Sequence, residues 1–283
     1  MKIKPFFFPT KGAQVFLCGA LVMISLSGCE TTDSTREGTT VKEFNQDKEK
    51  FITAIFDVSK LSPEVLKPVQ KAVPMKSMFK KLTVQFDVTE TKSPSGTVAP
   101  YVSNLQSVRT YYGRDNGLVL FQDELKRNDV SYRVNNVISL FGMLELDDQP
   151  VFLNNSGIGA SYRDVCVNRI NSIEPTPAVI QENTSFNLAY EMAYRRKYYR
   201  GKSRPISAET SRFSFGAHYP AAKVNSVLSG NAMDAMCTTT NTAGTVTLRQ
   251  NYVYLVNYGV ALPKTSSTAN TKIEFVIKGV QVE

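Results

Sequence analysis

The chain has no tryptophan, a single histidine (His218) and only four cysteines in 283 residues. One histidine excludes a multi-histidine metal centre within a single chain. Only one apolar run, Ala13 to Leu26, approaches the length that crosses a bilayer as a helix, which excludes a polytopic helical membrane protein. Charged residues make up 20% and hydrophobic residues 42%, a globular balance that excludes wholesale disorder and a fibrous repeat. No internal repeat is visible, and no motif calls for a cofactor.

The apolar run follows three lysines, Lys2, Lys4 and Lys11, and ends in small residues, which is the pattern of a secretory signal. Its last residues, Leu26-Ser27-Gly28-Cys29, resemble the lipobox of bacterial lipoproteins. The resemblance implies a signal peptide over residues 1–28, a fatty-acylated Cys29 carrying a diacylglyceryl group and an amide-linked chain such as palmitate, and a membrane held by lipid alone. Each buried methylene of such chains supplies about 0.8 kcal/mol, enough for stable anchoring without a protein span. Loss of the three leader lysines takes the net charge from +8 to +5. Glu30 is not the aspartate associated with inner-membrane retention in the best-known lipoproteins. The expected location is therefore the outer membrane, with the body in the periplasm and cell-surface exposure as the alternative.

With Cys18 in the leader and Cys29 acylated, Cys166 and Cys237 remain. An oxidising periplasm allows them to pair. A closed loop of about 70 residues corresponds to about 4 kcal/mol in the chain-entropy picture. Two separate buried thiols are the alternative.

Residues 29–43 are poor in apolar side chains and rich in Thr and charge, and predict a tether. The folded body is expected over 44–283, with a candidate sub-boundary near 174–180. Phe51, Ile52, Ile55 and Phe56 recur at helical spacing within 44–58. Ser62-Pro63 reads as an N-cap and first helical residue of a second helix, through Ala72. From Lys81 the period becomes two: Leu82, Val84, Phe86 and Val88 predict a half-buried strand. Further strands are expected over 130–146, 162–173, 186–198, 245–262 and 272–282, and helices over 117–128 and 220–236. Asp147-Asp148-Gln149-Pro150 reads as a turn. The expected class is α+β, an N-terminal helical segment followed by a β-rich body with long antiparallel strands.

Candidate chemistry is sparse. Ser77-Met78-Phe79-Lys80 matches the S-x-x-K of serine hydrolases, where a lysine one helical turn away activates the serine. Here a strand pattern follows Lys80 at once, so a periplasmic serine hydrolase is only a remote alternative. No nucleophile motif accompanies His218. Arg195, Arg196, Lys197, Arg200, Lys202 and Arg204 place six cations in ten residues among tyrosines. Such a patch suits anionic lipid heads or lipopolysaccharide. Its plainer reading is a solvated hairpin end whose charge protects a strand edge. Nucleic acid is not an expected partner.

Lys81–Gly96 and Ile138–Tyr162 resemble parts of the curli-secretion channel lipoproteins. That resemblance implies a lipidated chain with a periplasmic α/β body that donates hairpins to a barrel shared among copies. Two functions are thus carried forward. The first is a non-enzymatic scaffold or binding component of a secretion, conjugation or surface-structure assembly, working with other envelope proteins. The second is a homo-oligomeric export channel.

Overall fold

The computed structural model describes residues 47, 52, 57–93, 99–153, 160–161, 165–177, 179–194 and 206–283. The predicted tether and nearly all of the predicted 44–58 helix lie outside these residues. Among the described residues a 3-10 turn (Val58–Lys60) and the helix α1 (Pro63–Ala72) precede thirteen strands. These are β1 (Lys81–Lys92), β2 (Tyr101–Gly113), β3 (Leu118–Arg127), β4 (Val130–Leu140), β5 (Leu144–Phe152), β6 (Ala160–Ser161) and β7 (Val165–Glu174). They continue as β8 (Ser185–Tyr194), β9 (Ser207–Pro220), β10 (Asn231–Asn241), β11 (Val246–Leu255), β12 (Val260–Ser267) and β13 (Thr271–Val282).

Twelve strands close into an antiparallel ring in the order β4-β3-β2-β1-β13-β12-β11-β10-β9-β8-β7-β5, with β5 returning to β4. The two-residue β6 pairs with β5 outside that order. Of the described residues 64% are strand and 8% helix, so the expected α+β class is wrong: the fold is a mostly-β closed barrel. Two seams are thin. β5 meets β7 through two residue pairs and β12 meets β13 through three.

The corrections share a cause. Residues 117–128 form β3 rather than a helix, because Leu118, Val119, Leu120 and Phe121 are all buried and the strand loses its period-two signature. The predicted 130–146 strand is a hairpin that turns at Phe141 and Gly142, whose φ angles are 56° and 74°. The 245–262 strand is likewise a hairpin, turning between Leu255 and Val260. The expected turn at Asp147–Pro150 is strand, inside β5. In place of a 220–236 helix there is one 3-10 turn, Ala221–Lys223, followed by β10. The helix predicted from Ser62-Pro63 forms as α1 and buries Val65, Val69 and Ala72 on one stripe. Ser62 Oγ donates to Asn168 O of β7 at 2.8 Å and fixes the helix start against the ring.

Two large clusters make the core. One gathers α1, the inward residues of β7 to β11, and Leu118, Leu120, Ile138 and Leu140. The other gathers Leu82, Val84, Phe86, Tyr111, Val119, Phe121 and Val137 with Val253, Leu255, Val260 and Leu262. Parts of β3, β4, β11 and β12 are therefore buried on both faces. The β4–β5 turn is held to the β11–β12 hairpin: Ala261 N–H donates to Phe141 O at 2.8 Å, and Tyr252 OH donates to Met143 O at 3.0 Å. The barrel interior is thus packed with side chains. No helix among the described residues is long and apolar enough to cross a membrane.

Candidate functional site

The predicted site residues scatter. Cys29 and the Arg195–Arg204 basic cluster lie outside the described residues. Cys166 is buried on β7 and Cys237 on β10. Cys237 is a free thiol, so the expected Cys166–Cys237 bridge does not form. Around Cys237 run neutral hydroxyls: Ser211 Oγ lies 2.8 Å from Thr239 Oγ1 and 3.2 Å from Tyr190 OH. Burial pushes the Cys237 thiol up to about 12, which keeps it protonated and unreactive at neutral pH. His218, at the end of β9, faces Glu182: its backbone N–H donates to the carboxylate at 3.1 Å. Asp147 and Asp148 are both buried in β5.

The other core holds a charged centre that sequence reading missed. Arg109 on β2 lies directly opposite Asp123 on β3. Its Nη2 donates to Asp123 Oδ2 at 2.7 Å, and Ser107 Oγ donates to the other carboxylate oxygen. The guanidinium sits 4.7 Å from the Phe121 ring centroid and within 6 Å of Phe86 and Phe275, at 5.9 and 5.7 Å. Burial opposes its charge, but Asp123 and Tyr111 more than reverse this, and its pKa rises above the ordinary arginine value. Burial also pushes the Tyr111 hydroxyl up to about 12. A buried, fully charged pair among rings is suited to fixing strand register rather than to proton transfer.

Two concave features face outward. The first is a groove of about 450 Å³ across β9 to β12, lined by Ser214, Gly216, Asp234, Met236, Asn251 and Lys264 among others. It exists because two register shifts, at Met233/Ala235 and Asn251/Tyr252, bend neighbouring strands apart. Lys264 Nζ donates to Asp234 Oδ1 at 3.2 Å, both side chains being exposed, Tyr219 OH donates to the same oxygen at 3.4 Å, and Met236 stands 45% exposed.

The second is a shallow cleft of about 450 Å³ lined by Ser77, Met78, Phe79, Lys80, Gly113 and Arg114. The segment after α1 is clamped to the β2–β3 turn. Asn116 N–H donates to Met75 O, Asn116 Nδ2 donates to Val73 O at 2.9 Å, and Ser77 N–H donates to Asp115 Oδ1 at 3.0 Å. Gly113 permits the approach, since a Cβ there would lie 2.3 Å from Ser77 Oγ. Ser77 Oγ donates to Phe79 O at 2.8 Å, so the serine of the S-x-x-K motif is engaged by backbone.

Fold and surface together define a closed, side-chain-filled antiparallel β-barrel with grooves on its outside. No family model and no curated protein matches the chain. Among solved structures it is similar to a beta-barrel-like protein of the domain of unknown function DUF1849 from Brucella abortus, at 10% identity and a TM-score of 0.33, over 72% of this chain and 98% of that one.

Proposed function

We propose that this chain is an outer-membrane lipoprotein, anchored through an acylated Cys29, whose barrel is a non-enzymatic scaffold or binding component of an envelope assembly. The observation that carries the reading is the groove across β9 to β12. It is open, largely apolar in its lining and edged by the Asp234–Lys264 pair, on the outside of a barrel whose interior is filled. Such a surface suits a protein partner better than a conduit. The reading also accounts for the lipobox-like run ending at Cys29. A subunit that donates hairpins to a shared barrel needs strands still seeking partners. Here the twelve ring strands already pair on both sides within one chain.

Metabolic labelling with palmitate tests the anchor: the wild-type chain takes up label and Cys29→Ala does not. A photo-crosslinking residue at Met236 tests the groove. It yields discrete adducts with an envelope protein in intact cells, whereas the same residue at the exposed Gln85 of β1 does not. Unlabelled wild-type protein overturns the anchor, and equal adducts at the two positions overturn the groove.

A further inference from the structure

The segment between α1 and β1, Val73 to Lys80, and Arg114 facing it form a surface that the proposed scaffold function leaves unused. Lys76 and Lys80 are exposed and Arg114, across the cleft, is half-buried. None of the three has a carboxylate partner among the described residues. Nearby Lys81 is neutralised by Glu283 at 3.1 Å, and Asp115 is engaged by Ser77 N–H. Between the two lysines Met78 is 55% exposed, an unbranched apolar side chain pointed at solvent. Phe79 packs on Tyr258 with ring centroids 6.3 Å apart, and together with the hydrogen bonds to Asp115 and Asn116 it fixes the loop's shape. Cations flanking one exposed apolar residue on a pre-shaped loop make a pattern that fits a charged bilayer surface, the cations taking phosphate and the methionine entering the acyl boundary.

We infer that the Lys76–Lys80 loop with Arg114 is a membrane-contact surface that docks the barrel on anionic phosphate headgroups. The inference rests on the anchored reading and adds orientation to it. Between Cys29 and Asp57 the chain can span at most roughly 95 Å, so a lipid at residue 29 leaves open which side of the barrel meets the bilayer. A second, protein-borne contact settles that. Charge complementarity selects the membrane: each cation near an anionic surface strengthens binding about five-fold.

The test uses a chain starting at residue 29 with Cys29→Ser, which keeps every described residue and removes the lipid. It is added to vesicles of neutral phosphatidylcholine with or without a quarter of anionic phosphatidylglycerol. Binding by co-sedimentation is expected with the anionic vesicles alone. Lys80→Glu with Arg114→Glu is expected to weaken it at least ten-fold, while Arg249→Glu, an exposed cation on β11, changes it little. The absence of native tryptophan gives a second readout. Met78→Trp is expected to blue-shift its emission on anionic vesicles, whereas Val276→Trp on the outer face of β13 is not. Equal binding to neutral vesicles, no binding, or full binding by the double variant with an unchanged circular dichroism spectrum each overturns the inference. Palmitate labelling at Cys29 is independent of all of these, so failure of the anchor and failure of this contact are separable.

Discussion

The two cores solve the same problem with different polar chemistry. Around β1, β2, β3 and β13 the buried polar groups are ions, Arg109 and Asp123, enclosed by Phe86, Phe121 and Phe275. Around β7 to β11 the fully buried ones are neutral: Tyr190, Ser211, Thr239 and the Cys237 thiol, beside the stacked rings of Phe186 and Phe213 at 4.7 Å, with the half-buried Glu209 carboxylate accepting from Tyr190 OH at the margin. A hydroxyl can donate or accept and can rotate to suit a neighbour. A guanidinium and a carboxylate cannot exchange roles. A one-residue slip of β2 against β3 would turn one of them to the other face. The difference teaches that the first core depends on a single register and the second on packing.

The largest effect should come from breaking the pair. Asp123→Ala is expected to destabilise the protein by about 3–5 kcal/mol, because it leaves Arg109 charged and buried. Replacing both partners with apolar residues, Arg109→Met with Asp123→Leu, should recover stability to within about 1 kcal/mol of wild type or exceed it. Urea unfolding midpoints at constant slope measure both. A double variant as unstable as the single would mean the ions do more than set register. Because the Arg109 pKa is raised, its contribution is present at every pH below the ordinary arginine value and is lost only on rising through the still higher folded value. The contrast between single and double variants should therefore persist at pH 7 and at pH 10.

The turn that seats on the β11–β12 hairpin comes next. Gly142 has φ of 74°, and a Cβ there would lie 2.9 Å from Ala261 O. Gly142→Ala adds left-handed backbone strain to that clash, together about 2 kcal/mol. It should also weaken the Ala261-to-Phe141 hydrogen bond, so amide exchange at Ala261 is expected to accelerate more than at Val84 in β1. Uniform acceleration at both sites would mean that the turn does not act locally on this hairpin.

How much of this was readable depends on burial geometry. β1 was plain, because Leu82, Val84, Phe86 and Val88 are buried while Gln85 and Asp87 are exposed. Ser62-Pro63 announced α1 for a local reason, the preorganised first turn. β3 was misread where both faces are buried and the alternation vanishes. The Thr245–Leu262 stretch reads as one strand because apolar residues hold the even positions on both sides of residues 256–259, although Tyr252 and Tyr254 face one cluster and Val260 and Leu262 the other. Ala232, Met233, Ala235 and Met236 favour helices locally but pair as strand between β9 and β11, where tertiary pairing overrides propensity. The outer groove was invisible for a different reason. It arises from two register shifts within the consecutive strands β9 to β12, and no local pattern encodes them. Ser77 and Lys80, the ends of the S-x-x-K motif, line an outer cleft, with the serine bonded to backbone.

The smallest effect lies in the neutral core and concerns Cys237. Its thiol rises from the ordinary 9.0 to about 12 on burial. The native state therefore keeps a proton that the unfolded chain has already released between these values. Because the unfolded state binds fewer protons there, stability falls as pH rises from about 9 toward 12, and it is fully present below about 9. Cys237→Ser keeps a small hydroxyl-compatible side chain and should change stability at pH 7 by less than about 1 kcal/mol. Its denaturation midpoint should then fall less steeply than wild type from pH 9 to pH 10, before the buried tyrosines dominate. An aromatic disulfide reagent supplies the direct check: at pH 8 the native thiol should react far more slowly than the same thiol in urea. Equal rates would show that Cys237 is accessible, and the picture of a closed core cushioned by neutral hydroxyls would fail at that point.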